Sequence, residues 1–267
     1  MLPGRRSCVL TLSLLLRLAG VPVSAEVKLL VHDGLPIVDG VRVNGHGPYR
    51  FLVDTGSNVN LIEARLAQKI GLTATFRTEL VSSSGMTIVP GSDGIHVELD
   101  MARAEGQRFL FMSLEAVQQR SPDVHGVLGQ AFLSQFDYEL DLRHARLEFR
   151  KQEREGTRTR VTMLNGRPLV ATSLGDLVLD SASARLVLFG VQPESAYEDR
   201  RELRTFTGSQ RIGEIFSKLL VIEGRTVWRG NAVAVPHSTE RGVGGLLPVN
   251  LFRAVYMCNS EGYVVLE

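Results

Sequence analysis

Short apolar runs rich in β-branched residues, with Gly, Pro, Ser and Asn recurring at their ends, dominate the hydrophobic pattern of the chain. Residues 94–99 and 161–164 are examples, and runs of this length and composition are typical of β-strands. Helical periodicity is rare. Residues 62–70 fit it best, with Gly71 as a C-cap, and residues 130–136 are long enough for two turns. The pattern predicts a mostly β protein with few, short helices.

The same order of segments occurs twice along the chain. Each copy has a turn containing Asn-Gly, an apolar strand that ends in Asp, and a later segment of Gly followed by two apolar residues. These segments are residues 43–45, 51–57 and 126–129 in the first copy and residues 164–166, 177–183 and 245–248 in the second. The separations in sequence from Asp to the later Gly are 126 − 54 = 72 and 245 − 180 = 65 residues, a difference that loop length accounts for. Such a repeat indicates two related structural units.

A charged segment separates the copies and an apolar segment precedes them. Residues 151–158 contain no apolar side chain and are expected to be a solvated linker. Residues 1–25 combine a basic start, an apolar run and a small-residue end, as signal peptides do. We therefore expect an exported protein, periplasmic or secreted, with a first lobe at 26–150 and a second at 159–267. Arg17 interrupts the apolar run, and an uncleaved N-terminal anchor is the alternative.

Charge and cysteine content exclude several classes of function. The chain has 30 basic and 29 acidic residues, a net charge of +1. Residues 1–25 carry three Arg and no acid, so their removal gives 1 − 3 = −2, and we expect no nucleic-acid partner. Cys8 would leave with the signal peptide, and Cys258 alone allows no intramolecular disulfide. The six His include no His-Glu-x-x-His pair, so we expect no metal and no cofactor.

The two Asp motifs are the candidates for chemistry. Asp54-Thr55-Gly56-Ser57 lies between two apolar stretches, and Asp180-Ser181-Ala182-Ser183 occupies the same place in the second copy. A lone Asp-Thr-Gly is also a common turn sequence. The preceding strand, the later Gly-containing segment and the recurrence make the signal specific. With these features the chain resembles the retropepsin-like aspartic proteases, in the two-lobed, single-chain arrangement that pepsins also use, over nearly all of residues 26–267.

This resemblance implies an all-β fold of two homologous β-barrel lobes, related by a pseudo-twofold axis, with a cleft between them. It implies that Asp54 and Asp180 form the catalytic pair. One carboxylate activates a water molecule while the other, carrying a proton, polarises the scissile carbonyl. Two neighbouring carboxylates cannot both ionise cheaply, so the proton belongs to the pair, as is general in aspartic proteases.

The resemblance also implies roles for residues beside the pair. Thr55 and Ser181 occupy the hydroxyl position that, in this family, hydrogen-bonds between the lobes. Ser57 and Ser183 lie where a hydroxyl can hydrogen-bond a catalytic carboxylate, which would lower its pKa and favour an acidic working range. Turn chemistry is the alternative for these two serines. The segment 126–129 packs beneath the Asp loop in the family.

A flap over the cleft is expected at residues 81–88. Its hairpin tip would be Ser82-Ser83-Ser84-Gly85, where small residues allow opening and contact with substrate. A plain surface hairpin is the alternative. Residues 205–213, with Gly208 at their centre, are the candidate counterpart in the second lobe.

The second copy departs from the family pattern at two positions. Ala182 replaces a Gly, and Pro248 replaces the final Gly of the packing segment. If position 182 needs a positive φ or a close backbone approach, a Cβ there costs about 1 kcal/mol or more and displaces Asp180.

The sequence therefore allows three functions. The first is a monomeric, metal-independent aspartic endopeptidase that hydrolyses a polypeptide substrate with an activated water. The second is a catalytically degenerate peptide-binding protein on the same fold. The third is a protease active only after homodimerisation through the first lobe.

Overall fold

The computed structural model describes residues 25–149, 155–194 and 202–267. The expected signal peptide lies outside the described residues except for its last residue, and residues 151–154 of the expected linker also lie outside them. Within the described ranges no helix is long and apolar enough to cross a membrane.

Residues 25–149, called the first half here, are mainly strands. The strands are β1 (Ala25–His32), β2 (Leu35–Val43), β3 (His46–Val53), β4 (Asn60–Glu63), β5 (Phe76–Ser82), β6 (Gly85–Leu99), β7 (Ala102–Met112), β8 (Val124–Leu128), β9 (Tyr138–Asp141) and β10 (Arg146–Phe149). The helices are α1 (Ala64–Lys69), α2 (Glu115–Gln118) and α3 (Gln130–Leu133).

The described residues from 155 onward, called the second half, are also mainly strands. They are β11 (Thr157–Leu164), β12 (Arg167–Thr172), β13 (Gly175–Asp180), β14 (Val187–Phe189), β15 (Glu202–Thr205), β16 (Gly208–Arg211), β17 (Gly213–Ile222), β18 (Arg225–Val235), β19 (Gly245–Pro248), β20 (Val255–Cys258) and β21 (Tyr263–Leu266). A single 3₁₀ turn covers Val249–Leu251 in this part of the chain. The all-β class predicted from the pattern is confirmed.

The predicted helices form but are shorter than expected. Helix α1 begins at Ala64, because the first residues of the periodic run belong to strand β4. The Glu63 side chain accepts a hydrogen bond of 2.9 Å from the Leu66 N–H and so caps the helix start. Gly71, just beyond the helix, has a φ of +76°, which a glycine adopts without strain.

Both halves contain the same three strand pairings around their Asp strands. In the first half β3 pairs in parallel with β8, β4 pairs in parallel with β7, and β4 pairs antiparallel with β8. In the second half β13 pairs in parallel with β19, β14 pairs in parallel with β18, and β14 pairs antiparallel with β19. Each Asp therefore lies at the end of a strand that is paired in parallel with a Gly-containing segment.

A six-stranded antiparallel sheet connects the halves, in the order β1-β10-β9-β20-β21-β11. Strand β11 begins at Thr157, so the last two residues of the expected linker belong to this sheet, although Arg158 is exposed. Thr157 pairs with Leu266 and Arg158 pairs with Val265, because backbone hydrogen bonding to this sheet extends the strand. Cys258 is buried here with a free thiol.

Candidate active site

Asp54 and Asp180 lie at the carboxyl ends of two central strands. Asp54 follows β3 directly, and its N–H donates a 3.0 Å hydrogen bond to the Leu128 carbonyl of β8. Asp180 is the last residue of β13 and lies opposite Pro248 of β19. Both side chains are in buried residues, 7% and 9% exposed. The parallel pairing therefore brings each carboxylate to a strand end supported by the Gly-containing segment.

The loop after β3 wraps its backbone around the first carboxylate. Asp54 Oδ1 accepts hydrogen bonds from the N–H of Gly56 at 2.9 Å and from the N–H of Ser57 at 3.1 Å. Gly56 also lies against the other Asp, since a Cβ built on it would be 2.6 Å from Asp180 Cγ. The first loop thus requires glycine at this position because the second carboxyl occupies the space.

The second loop holds its carboxylate in the same way. Asp180 Oδ1 accepts from the N–H of Ala182 at 2.7 Å and from the N–H of Ser183 at 2.9 Å. Ala182 does not have a positive φ, and its side chain packs against the apolar cluster that includes Leu52 and Leu61. Position 182 therefore does not need the left-handed conformation in which a Cβ would be strained.

The residues that follow each Asp exchange hydrogen bonds between the halves. The Thr55 hydroxyl donates to the Leu179 carbonyl at 2.8 Å and accepts from the Ser181 N–H at 3.0 Å. The Ser181 hydroxyl donates to the Val53 carbonyl at 2.7 Å and accepts from the Thr55 N–H at 3.0 Å. All four bonds are buried, so they lock the two Asp loops to each other.

Burial raises the pKa of both carboxyls. Burial, and then the negative charge of Asp180, raise the pKa of Asp54 to about 8, against hydrogen bonds from the loop N–H groups that favour ionisation. Burial raises the pKa of Asp180 to about 6, although hydrogen bonds from the N–H groups of Ala182 and Ser183 act to lower it. Both shifts are upward, so the pair holds one proton in a range that is less acidic than for free carboxyls.

The hydroxyls of Ser57 and Ser183 do not contact the carboxylates, contrary to expectation. Ser57 Oγ donates to the Val59 carbonyl at 2.9 Å, and Ser183 Oγ donates to the Arg185 carbonyl at 2.9 Å. Each hydroxyl satisfies a carbonyl two residues on, which is ordinary turn chemistry. Only the backbone N–H groups of these serines bond to the carboxyls of Asp54 and Asp180.

Two supporting residues of the first half were missed by the sequence analysis. Asn60 is fully buried; its Oδ1 accepts from the Gly129 N–H at 3.0 Å, and its amide donates to Gln107. Gln130 is 2% exposed and its amide donates to the Thr55 carbonyl at 2.9 Å. The segment 126–129 therefore does support the Asp loop. A polar residue within the apolar run 59–62 was the available signal for Asn60.

The expected flap is a hairpin formed by β5 and β6, with Ser82 paired to Gly85 at its tip. The second candidate hairpin also forms, from β15 and β16, with Thr205 paired to Gly208. The two tips meet: Ser82 Oγ and Thr205 Oγ1 share a hydrogen bond of 2.8 Å.

Further hydrogen bonds join these tips. Gln210 donates to Ser83 Oγ at 3.1 Å, and Thr207 donates to the Gly85 carbonyl at 3.1 Å. Ser84 Oγ shares a hydrogen bond with Thr205, and the Thr239 hydroxyl donates to the Ser82 carbonyl. The four residues predicted for the flap, Ser82 to Gly85, thus contact the hairpin tip of the second half, residues 205–208.

A cavity of about 490 Å³ lies between the Asp loops and the two hairpin tips. Its lining includes Asp54, Asp180, apolar residues such as Val59 and Leu80, and a few charged side chains. In the described part of the chain, no group of three or more His, Cys, Asp or Glu is arranged to hold a metal ion.

Of the comparisons with known proteins, one matches the first Asp loop to a family. Residues 40–132 match a family model described as aspartyl protease. A comparison with curated proteins found no match. Among solved structures, a retropepsin-like aspartic protease from Rickettsia conorii is similar with a TM-score of 0.35 and 17% identity, over 47% of this chain and 90% of that chain. The family match includes Asp54 and the segment 126–129, and the predicted resemblance to the retropepsin-like aspartic protease family is confirmed.

Proposed function

We propose that this chain is an aspartic endopeptidase whose catalytic pair is Asp54 and Asp180. The observation that carries the proposal is the reciprocal hydrogen bonding of Thr55 and Ser181, which holds two equivalent Asp loops together beneath one cavity. A turn with only a structural role needs no second copy in contact with it.

The proposed reaction uses a pair that shares one proton. Asp180, whose pKa is the less raised, is ionised and accepts a proton from water, while protonated Asp54 donates to the scissile carbonyl oxygen. The water oxygen bonds to the carbonyl carbon and gives a gem-diol. Asp180 then passes its proton to the leaving nitrogen, the C–N bond breaks, and a gem-diol hydroxyl returns a proton to Asp54.

The domain organisation and export are part of the proposal. The matching strand pairings support two lobes, 26–150 and 159–267, related by a pseudo-twofold axis with the cleft between them. The composition of residues 1–25 supports a signal peptide, and therefore an exported protein that acts on polypeptides outside the cytoplasm. Because both Asp loops of one chain already meet, the proposed active form is a monomer.

A catalytically degenerate peptide-binding protein is the second candidate. It is favoured by the weaker support of the second Asp loop, where the repeat aligns Leu186 with Asn60 and Val249 with Gln130. These apolar residues cannot make the amide hydrogen bonds of the first half. Against this candidate, the hydrogen bonds from Ala182 and Ser183 to Asp180 match those in the first loop.

The decisive experiment is cleavage of a peptide library by the protein from pH 4 to pH 9, with Asp54→Asn and Asp180→Asn compared. We expect both variants to lose cleavage. Asp100→Asn is the control, since Asp100 is exposed in a turn where Asn is equally suited to its φ of +53°. Absence of cleavage at every pH would favour the binding protein. If only Asp54→Asn is inactive, Asp180 is not half of the pair.

A further inference from the structure

A largely buried ion pair lies in the cleft wall of the second half. Arg167 begins β12, and Glu240 lies in the segment before β19. The guanidinium bonds both carboxylate oxygens, with Nη1 2.9 Å from Oε1 and Nη2 bonded to Oε2. The two side chains are 13% and 7% exposed. Bidentate geometry and burial fix the position of both charges.

This pair lines the same cavity as the catalytic carboxyls. The Arg167 charge acts to lower the pKa of both Asp54 and Asp180, and the Glu240 charge acts to raise the pKa of Asp180. The two members therefore act on the dyad in opposite directions. In a buried site such charges are weakly screened, so each is felt across the cavity.

Other charged side chains around the dyad are exposed. Besides the two catalytic carboxyls and the ion pair, the charged residues that line the cavity are Glu79 of β5 and Arg241. Both are exposed, so solvent screens their influence. Arg167 and Glu240 are thus the largely buried charges through which the cleft wall acts on the dyad.

At the positions that the repeat aligns, this ion pair has no counterpart among the described residues of the first half. By the repeat, the turn Asn165-Gly166-Arg167 corresponds to Asn44-Gly45-His46, and His46 is exposed. Counting back from the Gly of each packing segment, Glu240 corresponds to Ser121. The first half therefore has no equivalent charge pair at these positions, and the electrostatic environment of the two carboxyls is unequal.

We propose that Arg167 and Glu240 are positioning residues for the catalytic pair, a balanced set of charges in the cleft wall that determines the pH range over which Asp54 and Asp180 share one proton. The proposal rests on the proposed function for its catalytic meaning. Neither residue is assigned contact with the reacting atoms.

The test compares Arg167→Gln, Glu240→Gln, the double variant and Arg167→Lys. The readouts are the pH dependence of peptide cleavage and a titration of ¹³C-labelled aspartates by NMR, assigned with Asp54→Asn and Asp180→Asn. In Glu240→Gln the positive charge of Arg167 is no longer balanced, so the pH range of cleavage moves down by about one unit. In Arg167→Gln the negative charge of Glu240 is no longer balanced, so the pH range moves up by about one unit. The double variant returns close to the original range, and Arg167→Lys stays close to it because the charge remains.

The matched control is the pair Arg108–Asp93, 2.6 Å apart but exposed and outside the cavity. Arg108→Gln should leave the pH range unchanged. Circular dichroism checks that each variant folds. If Arg167→Gln does not fold, Glu240→Gln and Arg167→Lys still test the proposal. Glu240→Gln is expected to fold because the glutamine carbonyl can accept a hydrogen bond from Arg167. The proposal would be overturned if Arg167→Gln and Glu240→Gln shifted the pH range in the same direction, or if neither variant shifted it. If no peptide is cleaved, the proposed function fails, but the NMR titration still tests the ion pair.

Discussion

Thr55 and Ser181, which are 126 residues apart in the chain, are hydrogen-bonded to each other through both backbone N–H groups and both hydroxyls. Each hydroxyl also donates to a carbonyl of the opposite strand end, Leu179 or Val53. Because the four bonds are buried, they are not exchanged for bonds to water. The relative position of the carboxyls of Asp54 and Asp180 depends on this contact.

Ser181→Ala should destabilise the protein by about 1–3 kcal/mol, because it leaves the buried Thr55 N–H and Val53 carbonyl each short of a partner. Urea unfolding measures the change. Ser183→Ala is the matched control, since its hydroxyl bonds a carbonyl of its own exposed loop, and its effect should be within about 0.5 kcal/mol. Equal effects of the two variants would contradict the locking role.

Peptide cleavage should be greatest between about pH 6 and about pH 8, the range over which the raised pKa values leave one proton on the pair. Below this range both carboxyls are protonated and no base remains; above it both are ionised and no acid remains. A pH–rate profile of kcat/KM tests this. A maximum near pH 3–4 would show that the carboxyls ionise as ordinary ones do.

Asp54→Asn should raise the stability of the protein at pH 9 and have a smaller effect at pH 5. The folded-state pKa of Asp54 is raised to about 8, above its value in an unfolded chain, so folding favours the protonated form. Stability is therefore lost as the pH rises through the folded value, and Asn removes that loss. Thermal unfolding at both pH values gives the comparison; a larger gain at pH 5 would reverse the sign.

Gly56→Ala and Ala182→Gly should have opposite consequences. A methyl group at position 56 would lie 2.6 Å from Asp180 Cγ and must displace that carboxyl, so we expect kcat/KM to fall about 100-fold or more. At position 182 the Cβ packs on an apolar cluster. Ala182→Gly should keep cleavage and cost about 0.5–1 kcal/mol of stability. Full activity of Gly56→Ala would refute the tight fit.

Joining the two hairpin tips should block the cleft. Ser82 and Thr205 are hydrogen-bonded at 2.8 Å, so Cys at both positions is close enough to form a disulfide after small side-chain adjustment. We expect the oxidised double variant to lose cleavage and to regain it on reduction, while each single variant remains active. Cleavage by the fully oxidised double variant would mean that substrate enters without opening these hairpins.

The local features of the site could be predicted from sequence because they depend on short segments. An apolar strand that ends in Asp, followed by a tight loop, has few alternative conformations. The recurrence of that pattern identified Asp54 and Asp180 together, and Gly and Ser residues identified the hairpin tip at 82–85. The bonds from loop N–H groups to each Asp are made within three residues of the chain.

The tertiary structure decided what depends on residues distant in the chain. Asn60 bonds a residue 69 positions away, and Arg167 pairs with Glu240 73 positions away. No periodicity or motif connects such pairs, because their contact arises only when the strands assemble. The tertiary structure also decided which acceptors the Ser57 and Ser183 hydroxyls bond and why the pKa values of the two carboxyls are raised. Burial and the choice among acceptors are properties of the packed molecule. By itself, the sequence determined the all-β class, the repeat and the two Asp motifs, whereas folding determined how their carboxyls are held.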